Sequence, residues 1–117
     1  MTQRSQRVGD LLRTELSELL QREMRDPRVA LATVSRVEMS HDLGFAKIWI
    51  SALGDDAQRA AALEGIEHAR GFLRSQLARR LRLRVVPELH FELDRGPEHS
   101  LRIAELLDRL GGERDDT

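Results

Sequence analysis

Six arginines, Arg70, Arg74, Arg79, Arg80, Arg82 and Arg84, fall between His68 and Pro87 with no aspartate or glutamate among them. A guanidinium presents a planar fork of donors that can make two parallel hydrogen bonds to one phosphate, so this density of arginine suits a polyanion. The other thirteen basic residues face all twenty acids of the chain, whose formal net charge is -1. Bulk charge therefore does not draw the protein to nucleic acid, and any basic surface must be local. At about 100° per residue, Leu73, Leu77 and Leu81 form one narrow helical arc, Ser75, Arg79 and Arg82 lie opposite, and Arg74 and Arg80 flank them. One face of such a helix packs while the others present guanidinium groups. Backbone amides near a kink at Ala69, Arg70 and Gly71 would receive a further phosphate oxygen at a helix start. Arg4 and Arg7, ahead of the first apolar stripe, are candidates for a second contact. A plain solvated face is the competing reading, since the chain carries a single lysine, Lys47, and uses arginine throughout.

Other chemistry has weaker support. His41 and Asp42 would make a general base and its orienter, but no serine or cysteine nucleophile is set against them by a recognisable motif. Glu88, His90, Glu92 and His99 are metal-ligating types, yet the first three fall on the wet side of an alternating strand. Trp49, the sole tryptophan, is a candidate for base stacking or for covering the outer face of a sheet. The absence of cysteine excludes disulfides, thiolate zinc sites, iron-sulfur clusters and a cysteine nucleophile. No Walker loop, dinucleotide glycine fingerprint or zinc signature occurs, and no cofactor is implied.

The elements that must position the arginines follow from periodicity. Val8, Leu11, Leu12, Leu16, Leu19, Leu20 and Met24 form the stripe of a first helix expected to run to about Arg25, where Asp26-Pro27 ends it. Val29 to Met39 and Phe45 to Ala52 read as two strands joined by Ser40-His41-Asp42-Leu43-Gly44 in a hairpin. Asp55 and Asp56 cap a second helix carrying Leu63 and Ile66, and the kink at Gly71 leads into the arginine helix. After Pro87, Glu88 to Asp94 alternates as a third strand, and Gly96-Pro97 closes it. Leu101 to Leu110 predicts a short last helix, followed by a polar tail over residues 111–117. The expectation is one α+β domain over residues 1–117, with its core at about 5–110 and helices on one face of a three-stranded sheet.

Chain length and patterning set the remaining bounds. At 117 residues the chain holds one ordinary domain. The longest stretches without a charged residue, Val29 to Ser35 and Ile48 to Gly54, are about a third of a membrane-spanning helix. Charges interrupt the amino terminus where a signal peptide needs an apolar run, so a cytoplasmic protein is expected. The lack of coiled-coil heptads favours a monomer.

Several blocks together resemble a known family. Arg7-Val8, the run from Arg22 to Arg28, the run from Val37 to Lys47, Ala69-Arg70-Gly71-Phe72-Leu73-Arg74 and the run from Leu81 to Phe91 are similar to bacterial ribosome-binding factor A, over roughly residues 5 to 110. The resemblance implies a KH-like fold of type II, with the helix at the amino terminus. It also implies a non-catalytic, cold-shock-associated factor that binds the free small (30S) ribosomal subunit and helps mature its 16S rRNA, including the 5′ end. An assembly GTPase that releases the factor is a candidate second partner. Ordinary KH domains grip backbone with a Gly-x-x-Gly loop. Here Ala69-Arg70-Gly71 stands in that place, so the surface transfers better than the base-reading mode. The alternatives are a KH-like binder of messenger or small RNA, and an adaptor whose arginine helix docks on acidic protein. Reversing Arg74 and Arg79 together is the test that sequence suggests.

Overall fold

The computed structural model describes residues 3–94. The expected helix over Leu101 to Leu110, the tail and His99 lie outside them. Helix α1 spans Gln3–Arg22, strand β1 Ala32–Met39, β2 Phe45–Ala52, helix α2 Asp56–His68, α3 Arg70–Leu81 and β3 Glu88–Leu93, with a single 3-10 turn at Pro27–Val29. The three strands form one mixed sheet in the order β1-β2-β3. The hairpin β1-β2 is antiparallel, while β3 runs parallel to β2 after a crossover through both α2 and α3. This is the helix-strand-strand-helix-helix-strand order that the sequence predicts, and an α+β domain results.

Helix α1 stops three residues before the predicted Arg25. The reason lies in Asp26, which is extended, as a residue before proline must be, and whose carboxylate accepts from the Arg28 amide at 3.0 Å. That cap starts a new turn with Pro27 in its first position, so the intervening residues serve as a connector. Val29, expected to open the strand, is instead buried in this turn, and β1 begins only at Ala32.

Strand β1 shows no clean alternation because it carries a bulge between Val34 and Arg36. The extra residue lets Val34 and Val37, three apart in sequence, pair with Ile50 and Ile48 on the core side of β2. Strand β2 has no such interruption. Ala46, Ile48 and Ile50 are each fully buried, with Leu89 and Phe91 of β3 beside them. Against this layer α1 sets Leu12, Leu16 and Leu19, α2 sets Ile66, and α3 sets Leu73 and Leu77. Each such side chain contributes roughly 1.5–3 kcal/mol through burial, before the entropy cost of ordering it. The basic helix is thus fixed on its apolar arc by the same core that holds the sheet.

Helix α2 approaches the 3-10 turn so closely that a side chain at Gly65 would meet Val29 Cγ2 at 2.9 Å and Asp26 Oδ2 at 3.0 Å. Only glycine permits that approach without displacement. Its start is fastened by a capping box in which Asp55 accepts from the Gln58 amide and the Gln58 side chain accepts from the Asp55 amide, both at 2.8 Å.

Candidate nucleic-acid interface

The break between α2 and α3 falls at Ala69, one position before the arginine helix and two before Gly71. Ala69 (φ -93°, ψ 8°) ends one helix and begins the other, and its carbonyl accepts from the Leu73 amide at 2.8 Å. The break is thus at the first of the three residues, Ala69, Arg70 and Gly71, where the sequence predicts the kink, and Gly71 sits inside the first turn of α3, exposed, with nothing within 4 Å of where its side chain would be. The fold itself does not require glycine there.

The six arginines divide. Arg80 turns back onto α1, where its guanidinium donates to Glu15 at 3.1 Å and Glu18 at 2.5 Å and lies 4.0 Å from Glu23. Those hydrogen bonds, to Glu15 first and then Glu18, hold its pKa above the ordinary arginine value. Arg74 donates to the carbonyl oxygens of Pro87 at 3.2 Å and Val86 at 3.0 Å, tying α3 to the entrance of β3. Arg70 pairs with Glu67, and its guanidinium stands 6.0 Å from the centre of the Phe91 ring. Three of the predicted phosphate ligands therefore also hold the fold.

The remaining three face outward. Arg79, Arg82 and Arg84 are exposed and make no ion pair among the described residues. Counted at about 100° per residue from Phe72, Arg79 lies within about 20° of the same line, Ser75 within about 60° and Arg82 within about 80°. All four, with Gly71, are exposed, so they form one continuous arc opposite Leu73 and Leu77. Arg82 ends the helix in the left-handed conformation (φ 51°, ψ 42°), a position usually given to glycine because a side chain there costs about 1–2 kcal/mol. Arg4 and Arg7 are exposed on the first turns of α1, on a separate element from the α3 arc.

Sequence reading passed over Phe72. It is 42% exposed although aromatic, and the signal was present: on the wheel it occupies the polar arc and not the leucine arc. Beside it lies an open groove of about 390 Å³, lined by Met24, Arg25, Gly65, His68 and Ala69 along with Glu23 and Asp26.

The other candidates are engaged elsewhere. The Asp42 carboxylate accepts from the Ser40 hydroxyl at 2.7 Å and the Gly44 amide at 2.9 Å, and these bonds, the hydroxyl first, hold its pKa below the ordinary value. It shapes the hairpin, in which Leu43 takes a positive φ of 61°. The Trp49 ring is covered by Arg36 at 4.0 Å and approached by Lys47 at 5.0 Å, with Lys47 paired in turn to Glu92 at 3.5 Å. His90 lies 3.8 Å from Glu92 and stacks on Phe45, and no group of three metal-ligating side chains forms among the described residues. No described helix is long and apolar enough to cross a membrane.

Comparison with known proteins bears on this surface. A sequence model of ribosome-binding factor A matches residues 4–107. The ribosome-binding factor A of Thioalkalivibrio sulfidiphilus is 46% identical over 110 residues, 94% of this chain and 85% of the relative. That of Thermomicrobium roseum is 45% identical over 111 residues, 95% and 86% of the two chains. Among solved structures, the crystal structure of ribosome-binding factor A from Thermus thermophilus superposes with a TM-score of 0.70 at 30% identity, covering 79% of this chain and 97% of that one. A homology model of the Thermus thermophilus factor, fitted into a cryo-electron-microscopy map of a 30S complex with that factor, gives a TM-score of 0.64 at 32% identity, covering 75% and 92%.

Proposed function

Because the chain belongs to the ribosome-binding factor A family, we propose that it binds the free small ribosomal subunit and assists late maturation of 16S rRNA, 5′-end processing included, by holding RNA and not by catalysis. The observation that carries this reading is the outer arc of α3, where Arg79 and Arg82 stand exposed without a carboxylate partner among the described residues. The Thermus thermophilus relative fitted into a 30S complex supports the choice of partner. Arg84, Arg4, Arg7 and the backbone at Gly71 extend the contact, while Arg70, Arg74 and Arg80 keep α3 in place and add their charge to its field.

Chemically, the arrangement needs no bond making. Guanidinium groups fixed on a rigid helix bind the phosphate pattern of one RNA conformer better than that of another, and this difference in affinity shifts the RNA toward the favoured form. Each phosphate neutralised releases condensed counterions, so binding weakens steeply between about 50 and 200 mM salt. The factor acts in the cytoplasm as a monomer and leaves with the help of an assembly GTPase.

The test is co-sedimentation of the protein with cell lysate at low magnesium and at two salt concentrations. Wild type is expected with free small subunits and not with intact ribosomes. The Arg79→Glu, Arg82→Glu double variant is expected at the top of the gradient with an unchanged melting temperature. It is a cleaner probe than reversal of Arg74, which would also cut the bonds to Val86 and Pro87. Undiminished sedimentation of the double variant would remove α3 from the interface, and wild type at the top in both salts would favour an adaptor on acidic protein.

A further inference from the structure

Resting on the RNA-binding reading above, we infer that the groove at the α2-α3 break receives an unpaired nucleobase, stacked on Phe72. Three observations converge. The groove is of the size of small-molecule sites, which run from roughly 300 Å³ upward, and its apolar lining comes from Phe72, Met24 and Ala69. Of the two acids in its wall, Asp26 is paired with Arg28 at 2.7 Å, and Glu23 lies 4.0 Å from Arg80, at the edge of the cluster that this guanidinium makes with Glu15 and Glu18. Exposed Arg25 on its rim has no ion pair among the described residues, so its guanidinium is available to a phosphodiester.

Continuity with the arginine arc then selects RNA over an apolar peptide. Phe72 and Arg79 are seven residues apart on one line of α3, about 10.5 Å along the axis at a rise of 1.5 Å per residue. A single strand lying along that line sets its phosphates at Arg79 and Arg82, passes Ser75 and the bare backbone of Gly71 closely, and turns one base into the groove. Aromatic stacking tolerates any base, so the groove confers preference for unpaired over paired RNA, not for a sequence. Trp49 has no comparable opening, since Arg36 already lies over its ring.

The experiment uses the full chain with two fluorescently labelled probes, a twelve-nucleotide oligoadenylate and a blunt twelve-base-pair RNA duplex, titrated from 50 to 200 mM salt. Phe72→Ala is expected to weaken oligoadenylate binding about tenfold with the salt slope unchanged, to leave duplex binding alone, and to melt within a few degrees of wild type. Phe72→Trp is expected to retain affinity. The Arg79→Glu, Arg82→Glu variant is expected to weaken both probes and flatten the salt slope. If Phe72→Ala binds oligoadenylate like wild type while the double reversal does not, the base site is wrong and the phosphate surface stands. Equal losses on both probes for Phe72→Ala would also overturn it, and failure of wild type to bind either probe at 50 mM salt would overturn both readings.

Discussion

Arg79 and Arg80 are neighbours in sequence and opposites in use. Arg80 spends its charge on Glu15 and Glu18, while Arg79 meets no acid among the described residues. The two sides of α3 show that a run of arginines is not the same thing as a basic surface. Those on the inner flank reach acids or carbonyls of other elements and fasten the helix. Those on the outer arc are left for a partner.

The comparison breaks most severely at Arg80. Arg80→Glu would gather a fourth carboxylate beside Glu15, Glu18 and Glu23, and it is expected to cause the largest fall in melting temperature of any single arginine substitution, with Arg80→Met falling less. A thermal melt of Arg80→Glu indistinguishable from that of Arg79→Glu would mean the two flanks do not differ.

Arg82→Gly separates stability from binding on the outer arc. Relieving the left-handed backbone should raise stability by about 1 kcal/mol in urea denaturation while subunit affinity falls through loss of the guanidinium. A variant that is both less stable and less tightly bound would contradict this account of Arg82. Gly71→Ala has a smaller expected effect of the same kind. The site is open, so helix propensity should add about 0.5–1 kcal/mol, and RNA passing close to the bare backbone should lose affinity several-fold. Unchanged affinity would take Gly71 out of the interface.

Acid offers the mildest probe, because it discharges carboxylates and leaves every arginine charged. The hydrogen bond from the Arg28 side chain, then that from its amide, hold the Asp26 carboxyl below its ordinary 3.8. A depressed pKa contributes stability that is complete above the ordinary value and is lost as pH falls through the lowered one. Stability measured from pH 6 to pH 3 should therefore drop below about pH 4, and Asp26→Asn should show a shallower drop from a lower plateau. An identical acid slope in the variant would assign the loss to other carboxylates.

Much of this architecture could be read from residue spacing alone. The α1 stripe and the alternation of β2 and β3 are visible because each obeys one period without interruption. The bulge in β1 and the early stop of α1 were not, because each depends on a single backbone departure that leaves no periodic trace. The arginine segment was equally plain, but its division was hidden. Glu15 and Glu18 lie more than sixty residues from Arg80 in sequence, and nothing local reveals that α1 and α3 meet. The helix break falls within the predicted Ala69-Arg70-Gly71 kink, but alanine makes it, in the bridge region of backbone space, and not the glycine that sequence reading singled out.

The parallel pairing of β3 with β2 also has a consequence in time. The β1-β2 hairpin closes a five-residue connection and can form as soon as it is synthesised, whereas β3 must wait for all of α2 and α3. Loop-closure entropy delays such non-local pairings, so one edge of β2 stays open until the last strand arrives. Arg74, which reaches from α3 to the carbonyls at the entrance of β3, gains its partners only at that moment. Pulse-labelled hydrogen exchange during refolding should accordingly find the hairpin amides protected before those that join β3 to β2, so that the candidate RNA-binding face is among the last parts of the molecule to become rigid.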